Sequence, residues 1–129
     1  MDGILTLDGF DASLAEGLML MTPFNATATD ERTQNFVKVY TEKFGTETLN
    51  QFAADGYDCI YAIYEACQKN GITAESKPEE ICEKLIATFT SADFKIDGLT
   101  GTGMGWTTVG EISKTPMVVE VVNGAYETK

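Results

Sequence analysis

Asp8 closes the apolar run Gly3-Ile4-Leu5-Thr6-Leu7 and precedes Gly9, so a strand over residues 3–8 would end in a carboxylate. In open α/β sheets the ligand crevice lies outside the carboxyl ends of the strands, and an acid there meets the charge of a small molecule. Asp-Gly is also a turn pair, and in that simpler reading Asp8 is a turn acid. Other chemistry-bearing residues read first as structure. Asp55 and Asp58 could form an acid/base pair, but near a helix start they complement the helix dipole, as do Glu79 and Glu80. Gly98, Gly101, Gly103 and Gly105 could cradle a phosphate, yet no Lys-Ser/Thr follows them, which favours a bulged strand. Asn25-Ala26-Thr27 has the spacing of a glycosylation acceptor, and Trp106 is read as packing its loop.

Composition narrows the field. The 129 residues, 43% of them apolar, suffice for one compact domain or a piece of one. A net charge of −11 repels phosphate backbones and anionic lipid, so no nucleic-acid partner is expected. No apolar run approaches the roughly 20 residues of a membrane span, and no secretory signal is present in this chain. Histidine is absent, which removes the usual proton shuttle near neutral pH and the commonest nitrogen ligand for zinc. No enzyme activity, metal or cofactor is therefore expected. Cys59, Cys67 and Cys82 are odd in number and lack a CxxC spacing, and are expected to be free, buried, structural thiols.

The elements that would position these residues follow from periodicity. Residues 3–8 and 18–22 are β-compatible, separated by a helical turn that Gly17 closes. Thr29 is the expected N-cap of a first helix whose face carries Phe36, Val37, Tyr40 and Phe44, with Gly45 as its stop. A second helix repeats Ala53, Gly56, Tyr57, Ile60, Ile63, Tyr64 and Cys67 at three and four residues. Ser76-Lys77-Pro78-Glu79 has capping-box spacing before a third stripe, Ile81, Cys82, Leu85, Ile86 and Phe89. Beyond it, 94–99 alternates like a strand, and Met117–Val122 is a β-branched run that turns at Asn123-Gly124. The fold class is α/β, with three consecutive amphipathic helices flanked by short strands at both ends.

In this order the segments ILTLDGF, AEGLMLMTPF, FVKVYTEKFG, NQFAADGYDCIYAIYEA, IDGLTGTGMGWTTVGE and MVVEVVNGAYE resemble the C-terminal part of a type I periplasmic binding protein. The resemblance is to the branched-chain amino-acid receptors of ABC transporters. It implies a partial fold of that type, with 1–129 as a single compact unit cut from a two-lobed protein. Residues 1–22 and 116–126 would correspond to the C-terminal lobe and 25–105 to the N-terminal lobe. It further implies that Asp8 receives the α-ammonium of an amino acid, that the Gly9 backbone lies beside it, and that Phe52 lines the side-chain pocket. Read from its own position, Phe52 could instead be a core residue at a helix start. Family members often carry Glu at the acid position, so Asp8 is a departure with shorter reach.

The expected function is capture of an extracellular amino acid by lobe closure and its delivery to a permease, from an extracytoplasmic parent. The alternative is a non-binding fragment whose apolar helix faces, together with an open edge on Met117–Val122, assemble a homo-oligomer.

Overall fold

A computed structural model describes residues 4–129. In chain order the elements are β1 (Met19–Thr22), α1 (Glu31–Phe44), α2 (Gln51–Lys69), α3 (Pro78–Phe89), β2 (Gly105–Trp106), β3 (Ile112–Ser113), β4 (Met117–Val122) and β5 (Ala125–Thr128). The strand pairs among the described residues are all antiparallel. Contacts gather into two compact units, 1–54 with 116–129 and 55–115, set beside the expectation of one unit over 1–129.

In the first unit β4 lies between β1 and β5. The pairs Leu20↔Val119 and Val121↔Tyr126 put alternate residues on one face, where Val119 and Val121 are buried. Asn123 and Gly124, with φ of 52° and 76°, supply the two left-handed positions of a type I′ turn, as the Asn-Gly pair predicts. The open edge expected for Met117–Val122 is absent. β4 is paired on both sides because β1 returns along it, a non-local pairing that a β-branched run cannot announce.

The strand expected over 3–8 is not formed either. Gly3 lies outside the described residues, and Ile4–Thr6 is a 3₁₀ turn. Phe10 N then donates to Leu7 O at 3.0 Å. Among the described residues this run has no partner strand, and backbone groups without one close locally.

α1 starts one residue later than expected. The Asp30 carboxylate, not Thr29, caps it by accepting from Thr33 N at 2.9 Å. Its buried anchor is Phe36, edge-on to Phe24 with ring centroids 5.8 Å apart. Gly45, at φ 76°, ends the helix.

The second unit is built on a hairpin-like return in which Ile96 and Met104 exchange backbone hydrogen bonds. Phe94, Ile96 and Met104 pack with Ala62 and Ala66 of α2, flanked by Leu85, Phe89 and Trp106. Residues 94–97 alternate in burial as predicted, but the alternation ends at Gly98-Leu99, where Leu99 is buried, and the segment pairs only through this one bridge among the described residues. Trp106 packs edge-on to Phe89 at 4.8 Å.

α2 has the predicted period but buries the opposite face. Ala54, Asp58, Ala62 and Ala66, four residues apart, are buried, while Ile60 (67% exposed), Ile63 and Tyr64 face outward. Small side chains let backbone approach closely, so close packing selected the alanine face over the bulkier one.

α3 lacks the capping box. Lys77 is the N-cap with no side-chain bond, Pro78 occupies the first turn, and Ser76 Oγ accepts from Thr73 N instead. Ile86 and Cys82 of the expected stripe are exposed. The thiols are free, as expected, but Cys59 and Cys82 are exposed and Cys67 half-buried. Cys59 and Cys82 lie on outward-facing surfaces of their helices.

Candidate functional site

Asp8 and Gly9 follow the 3₁₀ turn on an exposed bend, with Gly9 at φ 75°. Among the described residues the Asp8 carboxylate has no hydrogen-bond or ion-pair partner. It stands on a turn rather than at a strand end, so the strand argument for its position does not hold. Phe52 lies in the first turn of α2 and is 71% exposed, which rules out its reading as a core residue. Its backbone is fixed by Asn50, whose Oδ1 accepts from Phe52 N at 3.0 Å and Ala53 N at 3.2 Å. Asp8, Gly9 and Phe52 belong to the same compact unit.

Asp55 and Asp58 are spoken for. Asp58, buried, accepts from Leu99 N at 2.7 Å, Thr100 N at 2.8 Å and Thr100 Oγ1 at 2.7 Å. Lys114 Nζ bridges Asp55 Oδ1 at 2.6 Å and Thr100 Oγ1 at 2.7 Å. Neither acid is presented for proton transfer, and Asp58 serves to clamp a loop rather than to complement the helix dipole. A polar residue four positions from Ala54 and Ala62, on an all-alanine face, was the available signal. Among the described residues no three potential metal-ligating side chains cluster.

Asn25 of the glycosylation triplet is buried. Its Nδ2 donates to Thr128 Oγ1 at 2.8 Å, and its Oδ1 accepts from Thr27 N at 3.0 Å and Thr27 Oγ1 at 2.9 Å. In the folded chain it is a structural tie.

The first unit also holds a cavity of about 160 Å³. It lies between the β1/β4/β5 sheet, the 22–27 segment and residues Leu49-Asn50-Gln51. No motif pointed to it, since its walls are distant in sequence. Among the described residues no helix is long and apolar enough to cross a membrane.

No protein-family model matches the sequence, and no curated protein is significantly similar to it. Solved structures do match. A leucine-binding protein from Thermotoga maritima is 27% identical with a TM-score of 0.60, covering 89% of this chain and 30% of its own. An ABC transporter substrate-binding protein from Desulfitobacterium hafniense, in complex with Leu, gives 24% identity and a TM-score of 0.67 over 95% of this chain and 34% of its own. A solute-binding protein from Rhodopseudomonas palustris, in complex with 3,4-dihydroxybenzoic acid, gives 22% and 0.69 over 97% and 31%. The chain therefore carries a partial periplasmic-binding-protein fold, and resembles the substrate-binding proteins of branched-chain amino-acid ABC transporters. It spans about a third of the length of the structures it matches.

Proposed function

We propose that this chain is part of a substrate-binding component of an ABC transporter, which captures a branched-chain or related amino acid between two lobes and delivers it to a permease. The observation that carries this reading is the similarity to the leucine-binding protein over 89% of the chain at 27% identity. In this reading the full-length parent is extracytoplasmic and makes or breaks no bond. Asp8 receives the α-ammonium beside the Gly9 backbone, and Phe52 covers the ligand's side chain. The test is calorimetry of the full-length receptor with leucine. Asp8→Asn is expected to cost about 2–5 kcal/mol if closure buries the ion pair, and unchanged affinity would remove Asp8 from the site. The 129-residue chain alone is expected to bind free amino acids weakly or not at all.

A second reading, for the chain by itself, is a homo-oligomer. It is favoured by the outward face of α2, where Ile60, Ile63 and Tyr64 form an apolar stripe that soluble monomers seldom expose. Among the other residues of the predicted helix faces, Phe36 is buried, and Leu85 and Phe89 pack in the second unit's core, so they do not extend this stripe. Sedimentation at micromolar concentration is expected to show a dimer that Ile60→Glu dissociates; a compact monomer would end this reading.

A further inference from the structure

We propose that the cavity in the first unit is a binding site for a small uncharged molecule the size of one ring, of the phenol class, distinct from any amino-acid site. Its volume of about 160 Å³ matches that of cavities which take up a single benzene, about 150 Å³. Leu20, Phe24, Leu49 and Val119 supply an apolar wall.

The polar inventory decides the ligand's chemistry. Thr22 Oγ1 is occupied by the Phe24 backbone, donating to its carbonyl at 3.0 Å and accepting from its N–H at 3.3 Å. Thr27 Oγ1 is turned to Asn25 Oδ1 and to Tyr126 O. Asn25 is held by Thr27 and Thr128. The Asn50 side-chain oxygen is spent on the start of α2. The other polar groups of the lining are neutral as well: the Asn50 Nδ2 donor, the Tyr126 hydroxyl, and the Gln51 carboxamide, which has no hydrogen-bond partner among the described residues.

No charged side chain lines the walls, so an ammonium or carboxylate entering would be desolvated without a counter-charge. A zwitterionic amino acid is disfavoured on this ground. A hydroxyl on an apolar ring is accepted, because a carboxamide can both donate to it and accept from it.

The experiment is a titration of the isotope-labelled 129-residue chain with phenol, benzene and leucine in turn, following the methyl signals of Leu20, Leu49 and Val119. Phenol and benzene are expected to shift these signals saturably, and leucine to leave them in place. Ala26→Leu, which fills the cavity, is expected to abolish both responses. Gln51→Leu, at the half-buried rim, is expected to weaken phenol about three- to tenfold while leaving benzene unchanged, as loss of one hydrogen bond implies. The absence of a saturable shift with phenol, an unaltered response in Ala26→Leu with its fold intact by circular dichroism, equal phenol affinity in Gln51→Leu, or leucine moving the same signals would each overturn the proposal. Failure here leaves the receptor reading untouched, since that reading concerns Asp8 and Phe52.

Discussion

The Asp58 carboxylate and Thr100 are joined twice, through the Thr100 backbone N–H at 2.8 Å and its hydroxyl at 2.7 Å. A third bond, from Leu99 N at 2.7 Å, completes a carboxylate that clamps a loop to a helix 41 residues away in sequence. All three donors are buried or nearly so, and the acid accepts what no other group on the alanine face of α2 could.

Asp58→Ala leaves the Leu99 and Thr100 amides without acceptors in a dry setting. Orphaned buried donors cost about 1–3 kcal/mol each, so a loss of roughly 3 kcal/mol is expected for the two amides together. Urea denaturation of the two proteins checks this. A loss within the scatter of surface substitutions would mean that the loop finds other acceptors.

Gly98 is held to glycine by the same carboxylate rather than by its backbone angles. A Cβ added there would overlap the Asp58 side chain, whose three hydrogen bonds fix it in place. Gly98→Ala is therefore expected to destabilise by about 1–3 kcal/mol, in the range for overpacking. The two substitutions share a partner, so their effects should not add: in Asp58→Ala the space for Cβ exists, and Gly98→Ala becomes nearly neutral. Full additivity in a double-mutant cycle would show that the clash is relieved elsewhere.

What the sequence disclosed was local. The Asn123-Gly124 hairpin, the three helices and the Gly45 stop rest on neighbouring residues, and the structure has them within a residue or two. What it concealed was pairing. Ile4–Thr6 has strand-forming residues but no partner among the described residues, and β4 gained β1 from 99 positions away at Leu20↔Val119. The face that α2 buries is likewise a property of what packs on it: Phe94, Ile96 and Met104 took the alanines, and apolar weight pointed the other way. Gly9 and Phe52 were named through resemblance, which no periodicity would have supplied, and Asp8 was named first through a strand end that did not form. The cavity residues Asn50, Gln51 and Tyr126 carry no motif at all.

The α1 cap gives a pH dependence. The Thr33 backbone N–H, donating to the Asp30 carboxylate, is the main cause that holds its pKa below the ordinary carboxylate value. A depressed folded pKa contributes stability that is fully present above the unfolded pKa and is lost as pH falls through the folded value. Asp30→Ala is expected to cost about 1 kcal/mol near neutral pH and progressively less in acid. Asp30→Asn keeps a capping oxygen without titrating, so its stability relative to wild type should improve below the carboxylate range. Thermal unfolding from pH 7 down to pH 3 checks both, with Asp11, also lowered by its bonds to Ser13, left intact in each variant.

The cysteines test which faces are open. Cys59 and Cys82 are exposed and Cys67 is half-buried, so two thiols per chain should react promptly with a disulfide reagent under native conditions and the third more slowly. Cys59 and Cys67 lie eight residues apart on one helix, about 12 Å along its axis, too far to bridge. Unfolding without reductant is then expected to release three thiols per chain, and a count of one would reveal a disulfide that the fold does not contain. Cys59 adds a finer reading, because it adjoins Ile60 on the outward face of α2. If copies associate through that face, its reaction should slow as protein concentration rises while Cys82 keeps its rate. A Cys59 rate independent of concentration would leave the α2 stripe facing water and remove the basis for the homo-oligomer.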